Sequence, residues 1–236
     1  MFVLGEDAEE DPPLYSYFRG DELKVKSRHL GRILAHAVWD IPASVPEKTR
    51  DFVLLHAGSV SRDGSSMLIP AEAGVGKSSL VAGLLSLGFR YLSDEAGVID
   101  PVTGHAYPFP KRLSLDMGTV RLFPELEDRL QDRGTPLSDR LEGRFVRPED
   151  LGAEVGAPGV IRWLIFPTPE RDGPPRLTPI STSEAVSRMA RYSFNLYRYE
   201  ARGVVLLSRV AAEAEAFELS GGSVQERAEL LASLGS

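Results

Sequence analysis

Cysteine is absent from this 236-residue chain, which excludes disulfides, zinc–thiolate sites and thiol nucleophiles. Histidine is scarce too, with 4 in all, and none stands at metal-ligand spacing, so no protein-held zinc site is expected. No apolar run approaches the length of a membrane span. The opening MFVLGEDAEEDPP soon turns acidic and has neither the basic start nor the apolar stretch of a signal peptide. Basic charge is in deficit: 27 Lys and Arg face 34 Asp and Glu, a formal −7, which argues against a broad nucleic-acid surface. These absences lead us to expect a soluble cytoplasmic protein with no membrane or nucleic-acid partner. What remains, 42% hydrophobic and 26% charged residues, is the composition of an ordinary globular chain with one sizeable core.

Along the chain, strand-like and helix-like patterns alternate, which reads as an α/β class with a mixed central sheet in a single domain over 1–236. The acidic start reads as a loose or edge-lying tail, with 1–20 loose. FVLLHAGSV and MLIP flank the turn signal Asp63–Gly64, so an antiparallel pair is expected there. Leu80, Leu84 and Leu87 at helical spacing continue the chain as a helix that Gly88 ends. TVRLFPELEDRLQDRG reads as helical with Pro124 in its first turn, and 135–158, rich in Gly, Pro and charge, as a mobile excursion. GVIRWLIFP and PRLTPIS are strand candidates of the same sheet, with Trp163 expected in the core. Ser181 with Glu184, and Ser223 with Glu226, stand at capping-box spacing, and RGVVLLSRVAAEAEAF reads as one strong helix between them.

The stretch AEAGVGKSS lies between the MLIP strand and that leucine-bearing helix. Phosphate oxygens need several backbone N–H groups pointing inward with no side chain in the way. Ala73, Gly74, Val75 and Gly76 form such a turn. Lys77 supplies a point charge for the β- and γ-phosphates, the Ser78 hydroxyl a ligand for Mg²⁺, and Ser79 a contact to the α-phosphate. ATP and Mg²⁺ are therefore the expected cofactors. Two positions depart from the usual G-x-x-x-x-G-K-[ST] pattern of such loops. Ala71 replaces the first glycine, and Glu72 puts a carboxylate beside the anion.

Seventeen residues after Lys77 the segment YLSDEAGVID brings two adjacent acids, Asp94 and Glu95, to a strand end. One carboxylate can take the proton of an attacking hydroxyl and the other can hold the metal. Neighbouring strand residues face opposite sides, so a bend at Asp94 is required for both to reach one site. The run from Leu54 to Asp100 resembles the kinase core of HPr kinase/phosphorylase and its stand-alone relatives. His56–Ala57 falls where that family has His-Gly, the loop where it has G-x-S-G-x-G-K-S, and Ser93–Asp94–Glu95 where it has Ala-Asp-Asp. The resemblance covers about residues 52 to 100. It implies a nucleotide domain like that of phosphoenolpyruvate carboxykinase, with ATP–Mg²⁺ on Lys77 and Ser78. Asp94 would be the base, Glu95 would assist the metal and His56 would lie near the transferred phosphate. The chain lacks the family's downstream basic-glycine signature and its full N-terminal domain. The likeness is therefore to the smaller members, some of which accompany lasso-peptide and other peptide natural-product pathways. The activity implied is ATP-dependent phosphorylation of a hydroxyl, best a serine on a peptide or protein, by a chain that could form homo-oligomers. A non-catalytic nucleotide-binding regulator and a nucleotide hydrolase driving a partner are the alternatives.

Lys111 and Arg112, in YPFPKRLSL, offer positive charge for a substrate carboxylate or the γ-phosphate. Arg140, Arg144 and Arg147 are candidates for a substrate lid.

Overall fold

The computed structural model describes residues 2–7, 13–34, 36–37, 40, 49–124, 126 and 143–235. Where the sequence reads as one domain, the chain divides into two compact units, 1–48 with 114–145 and 49–113 with 146–236.

In the first unit, Phe2–Asp7 (β1), Leu14–Arg19 (β2) and Glu22–Ser27 (β3) form an antiparallel sheet in the order β1-β2-β3. The start of the chain is thus edge-lying, a paired outer strand with Val3 opposite Phe18, and 2–7 and 14–20 are not loose. An acidic composition did not prevent pairing, because the edge positions of a small sheet tolerate charge. Tyr17, Ile33 and Ala37 make the small core of this unit, and the Tyr17 hydroxyl donates to Asp40 Oδ2 at 3.0 Å. Met117–Val120 forms one helical turn capped by Asp116. Most of the helix expected over 119–134 lies outside the described residues. Of the expected excursion 135–158, residues 135–142 also lie outside them. Of the rest, Gly143–Val146 (β10) pairs with Leu113–Asp116 (β9), Pro148–Leu151, in the second unit, is a 3-10 turn, and 152–158 is mostly irregular.

The second unit is a mixed α/β body around an eight-stranded sheet. Its order is Arg176–Pro179 (β12), Glu215–Ser220 (β13), Val160–Pro167 (β11), Ser65–Pro70 (β5), Val53–Arg62 (β4), Ala96–Ile99 (β7) and Ala106–Tyr107 (β8), while Arg90–Ser93 (β6) also pairs with β4. The β11 strand runs parallel to β5 and β13, and the other pairings are antiparallel. Asp63 and Gly64, both at positive φ, close the β4–β5 hairpin as their sequence foretells. The expected helix 202–217 breaks earlier. Helix α3 (Glu200–Glu213) stops and Glu215 to Ser220 becomes β13, because this segment fills the slot between β11 and β12. Ladder bonds on both sides outweigh a weak local helix propensity.

Helices α2 (Thr182–Arg191) and α3 cover one sheet face, where Leu55, Ala57, Leu68, Leu164, Met189 and Leu207 share a core. Trp163, expected in that core, is only half-buried, since its neighbours Ile161, Leu164 and Ile165 take the buried positions. Helices α1 (Lys77–Ser86) and α4 (Val224–Ala232) pack together, and α1 lies on β4. Close approach there depends on Gly58: a Cβ on it would stand 2.7 Å from Val81 Cγ2. Gly58→Ala is therefore expected to cost about 1–3 kcal/mol through overpacking. Thermal unfolding checks this, and Val81→Ala in the same chain should recover part of the loss.

Among the described residues, no helix is long and apolar enough to cross a membrane.

Candidate functional site

The β5 strand ends where Pro70 pairs with Ala57, and the chain turns through Ala71 to Gly76 into α1. Gly74 and Gly76 sit at φ +81° and +96°, a left-handed backbone that side chains rarely adopt, and Gly76 is the helix N-cap. The backbone at Ala71 does not call for glycine. Among the described non-glycine residues only Asp63 and Glu200 have positive φ, so the position of Ala71 does not require glycine. Ala71 is buried, and its N–H donates to His56 O at 3.3 Å. Glu72 is turned away: its carboxylate meets Arg191 of α2 at 2.5 Å.

The inner side of this turn has unused donors. The backbone N–H groups of Ala73, Gly74, Val75, Gly76 and Lys77 donate to no group among the described residues. Successive N–H groups around a left-handed kink form a concavity suited to an anion, and the start of α1 adds its dipole. Lys77 is 6% exposed and curls back over the turn, its Nζ donating to Ala71 O at 2.9 Å and Glu72 O at 2.8 Å. Burial pushes its ammonium down to about 8, against the pull of Glu95 and Asp94 in the other direction. Ser78 is half-buried and Ser79 buried on the first helical turn.

The acids come to the same end of the sheet along β4. Both β6 and β7 run antiparallel to β4, and the ladder opens between Ser93↔Ser59 and Ala96↔His56. Asp94 and Glu95 form a bend there, as their common reach requires. Ser93 holds it, its Oγ accepting from Glu95 N at 3.2 Å and Ala96 N at 3.0 Å. A register shift just before, between Val60↔Tyr91 and Ser59↔Ser93, brings Tyr91 round to Asp94. The Tyr91 hydroxyl donates to Asp94 Oδ1 at 2.9 Å and accepts from Asp94 N at 3.2 Å, all in the buried interior. Burial, then the Asp94 charge, raises the Tyr91 phenol, so it stays a donor.

Lys111 ties the acid pair together. Its Nζ lies 2.8 Å from Asp94 Oδ1 and 4.0 Å from Glu95 Oε2, with the side chain only 14% exposed. Burial raises the Glu95 carboxyl above its usual range, opposed first by Lys111. His56 stands on β4 with its ring 5.6 Å from that of Phe194. Burial, then Lys77, lowers its imidazole to about 4, so it is neutral at pH 7. Its Nε2 is 4.0 Å from Glu95 Oε1, but a neutral ring at that distance makes no ion pair.

The structure thus gathers Lys77, Asp94, Glu95 and His56 at the exit of β5 and adds Lys111. Tyr91 and Arg171 escape a reading of the sequence. No residue pattern marks the register shift that turns Tyr91 inward. Arg171 follows β11, and only the strand order reveals that loops after β11 and β5, being parallel neighbours, leave the sheet at the same end. Of the arginines suggested for a lid, the two described ones are engaged locally. Arg147 pairs with Asp150 at 2.7 Å, Arg144 donates to Gly143 O, and Arg140 lies outside the described residues.

No three His, Asp or Glu side chains gather to hold an ion among the described residues. Mg²⁺ is commonly held by one or two carboxylates together with substrate phosphates and water, which Glu95 and the Ser78 hydroxyl fit. The open N–H groups fit the phosphates. Compared with protein-family models and with curated proteins, the chain finds no match in either.

Proposed function

We propose that this protein is an ATP-dependent kinase transferring the γ-phosphate to a hydroxyl, best a serine on a peptide or protein. The observation that carries it is the turn over Ala73–Lys77, whose N–H donors meet no acceptor among the described residues, next to a bend that carries the buried Asp94 and the partly exposed Glu95. In this reading the turn is a P-loop, in a nucleotide domain of the kind found in HPr kinase. The loop N–H groups and Lys77 hold the polyphosphate, Ser79 reaches the α-phosphate, and Ser78 and Glu95 hold Mg²⁺. Bound ATP–Mg²⁺ supplies the phosphoryl group and the charge that draws electron density from it.

The rest is done by the chain's own groups. Asp94, oriented by the Tyr91 hydroxyl, takes the proton of the acceptor hydroxyl. Lys111 keeps the two neighbouring carboxylates from repelling each other. His56, neutral at pH 7, offers the acceptor side a hydrogen-bonding group without adding charge.

A second reading, a nucleotide-binding regulator without turnover, is favoured by one feature. Both lysines are already engaged by protein groups, Lys77 by loop carbonyls and Lys111 by the acids. Incubation with γ-labelled ATP, Mg²⁺ and serine-bearing peptides separates the readings. The kinase puts label on a peptide serine. Steady release of inorganic phosphate with every acceptor would indicate a hydrolase, and binding with neither product would indicate the regulator.

A further inference from the structure

We infer that Arg171 is a second phosphate-binding residue of the nucleotide site, held in place by the buried Arg227; this rests on the nucleotide reading above. Arg171 reaches the turn from the segment after β11. Its Nη2 donates to Val75 O at 2.8 Å and lies 2.7 Å from where a Cβ on Gly76 would stand. Gly76 needs glycine for its left-handed φ, and the guanidinium packs over the space that a side chain would otherwise occupy. Among the described residues Arg171 makes no ion pair with a carboxylate. Lys77 makes none either, and its Nζ rests on carbonyls alone. Two cations whose side chains make no ion pair among the described residues thus stand beside a turn whose N–H groups donate to nothing there. One Nη2 bond occupies only part of the guanidinium fork. Its remaining donors match phosphate oxygens.

Arg227 explains why Arg171 is where it is. This arginine of α4 is 1% exposed, and its guanidinium donates only to backbone: Nε to Gly221 O at 2.5 Å, Nη1 to Thr168 O at 3.1 Å and Nη2 to Glu170 O. Gly221 N in turn donates to Glu170 O at 3.1 Å. The segment before Arg171 is therefore fastened to the end of β13, so its side chain starts from a fixed backbone. Arg227 acts through Arg171 and is a positioning residue.

Calorimetry with Mg–ATP, Mg–ADP and AMP on the full chain tests this. Arg171 is exposed, so Arg171→Ala is expected to fold, and to bind ATP and ADP about tenfold or more weakly, as befits one lost charge-assisted contact. AMP binding should hardly change, and Arg171→Lys should recover part of the loss. Arg227→Lys, confirmed as folded by its melting curve, should weaken ATP similarly and add nothing in the Arg171→Ala background. Lys77→Ala is the control for the nucleotide site itself. If wild type binds ATP, Lys77→Ala does not, and Arg171→Ala binds like wild type, the role of Arg171 is overturned while the nucleotide site stands. Equal loss for AMP and ATP would overturn direct phosphate contact. Additive losses from Arg171→Ala and Arg227→Lys would remove Arg227 from the scheme. If wild type binds no nucleotide, both readings fall together.

Discussion

Asp94→Asn is expected to stop phosphoryl transfer while leaving ATP binding intact. A serine hydroxyl is a poor nucleophile at neutral pH, and a positioned base contributes on the order of a hundred- to ten-thousandfold. Asparagine keeps the shape and one carbonyl oxygen, so the Tyr91 hydroxyl can still donate to it. What goes is the lone pair that takes the proton, and with it the charge opposite Lys111 at 2.8 Å. Losing half of a largely buried ion pair carries its own penalty, because the Lys111 ammonium keeps only Glu95, 4.0 Å away. The substitution must therefore be read against stability. Asp94→Asn combined with Lys111→Met should regain thermal stability and remain inactive. Glu95→Gln should instead raise the Mg²⁺ concentration needed for half-maximal rate. Single-turnover transfer to the acceptor peptide is the measurement. An Asp94→Asn protein as fast as wild type would place the base elsewhere and remove the mechanism proposed here.

How much of this was legible in the sequence varied with how local each cause is. The β4–β5 hairpin followed from Asp63–Gly64, and the α4 cap from Ser223 with Glu226, where both reciprocal bonds form. Ser181 caps α2 through Glu184 N. The strands Val160–Pro167 and Arg176–Pro179 joined the sheet of the loop strand, as their apolar character suggested. Such features depend on a few neighbouring residues. The misreadings depended on distant ones. The end of α3 at Glu213 is set by a vacant slot between β11 and β12, which no helix-forming run can disclose. The need for a bend at Asp94 was visible, but its supports, Ser93 below and Tyr91 behind, come from a register shift against β4. That Ala71 needs no positive φ, and that the Glu72 carboxylate meets Arg191, are set by the backbone and by a distant helix, and neither is written in the loop itself.

Lys77→Ala is expected to remove most of the affinity for ATP without unfolding the chain. Charge-assisted hydrogen bonds contribute about 1.5–3 kcal/mol each, so loss of the ammonium should weaken binding roughly ten- to a hundredfold or more. The fold should survive, because the lysine is a cost to it. Burial brings its ammonium from the usual 10.5 down to about 8. Between those two values the unfolded chain binds more protons than the folded one, so this residue makes stability rise with pH across that window. Below about 8 the charge is retained in both states and the burial cost is present in full. Lys77→Ala should therefore melt no lower than wild type at pH 7 and should lose the stability gain between pH 8 and 10.5. Binding has the opposite sign. The ammonium attracts phosphate only while protonated, so wild-type ATP affinity should hold up to about pH 8 and fall above it. In Lys77→Ala that decline should be absent and the affinity uniformly low. Calorimetric titration at several pH values, with melting curves alongside, reads both signs in one series. A folded Lys77→Ala protein with wild-type affinity at pH 7 would show that the turn over Ala73–Lys77 is not where ATP binds.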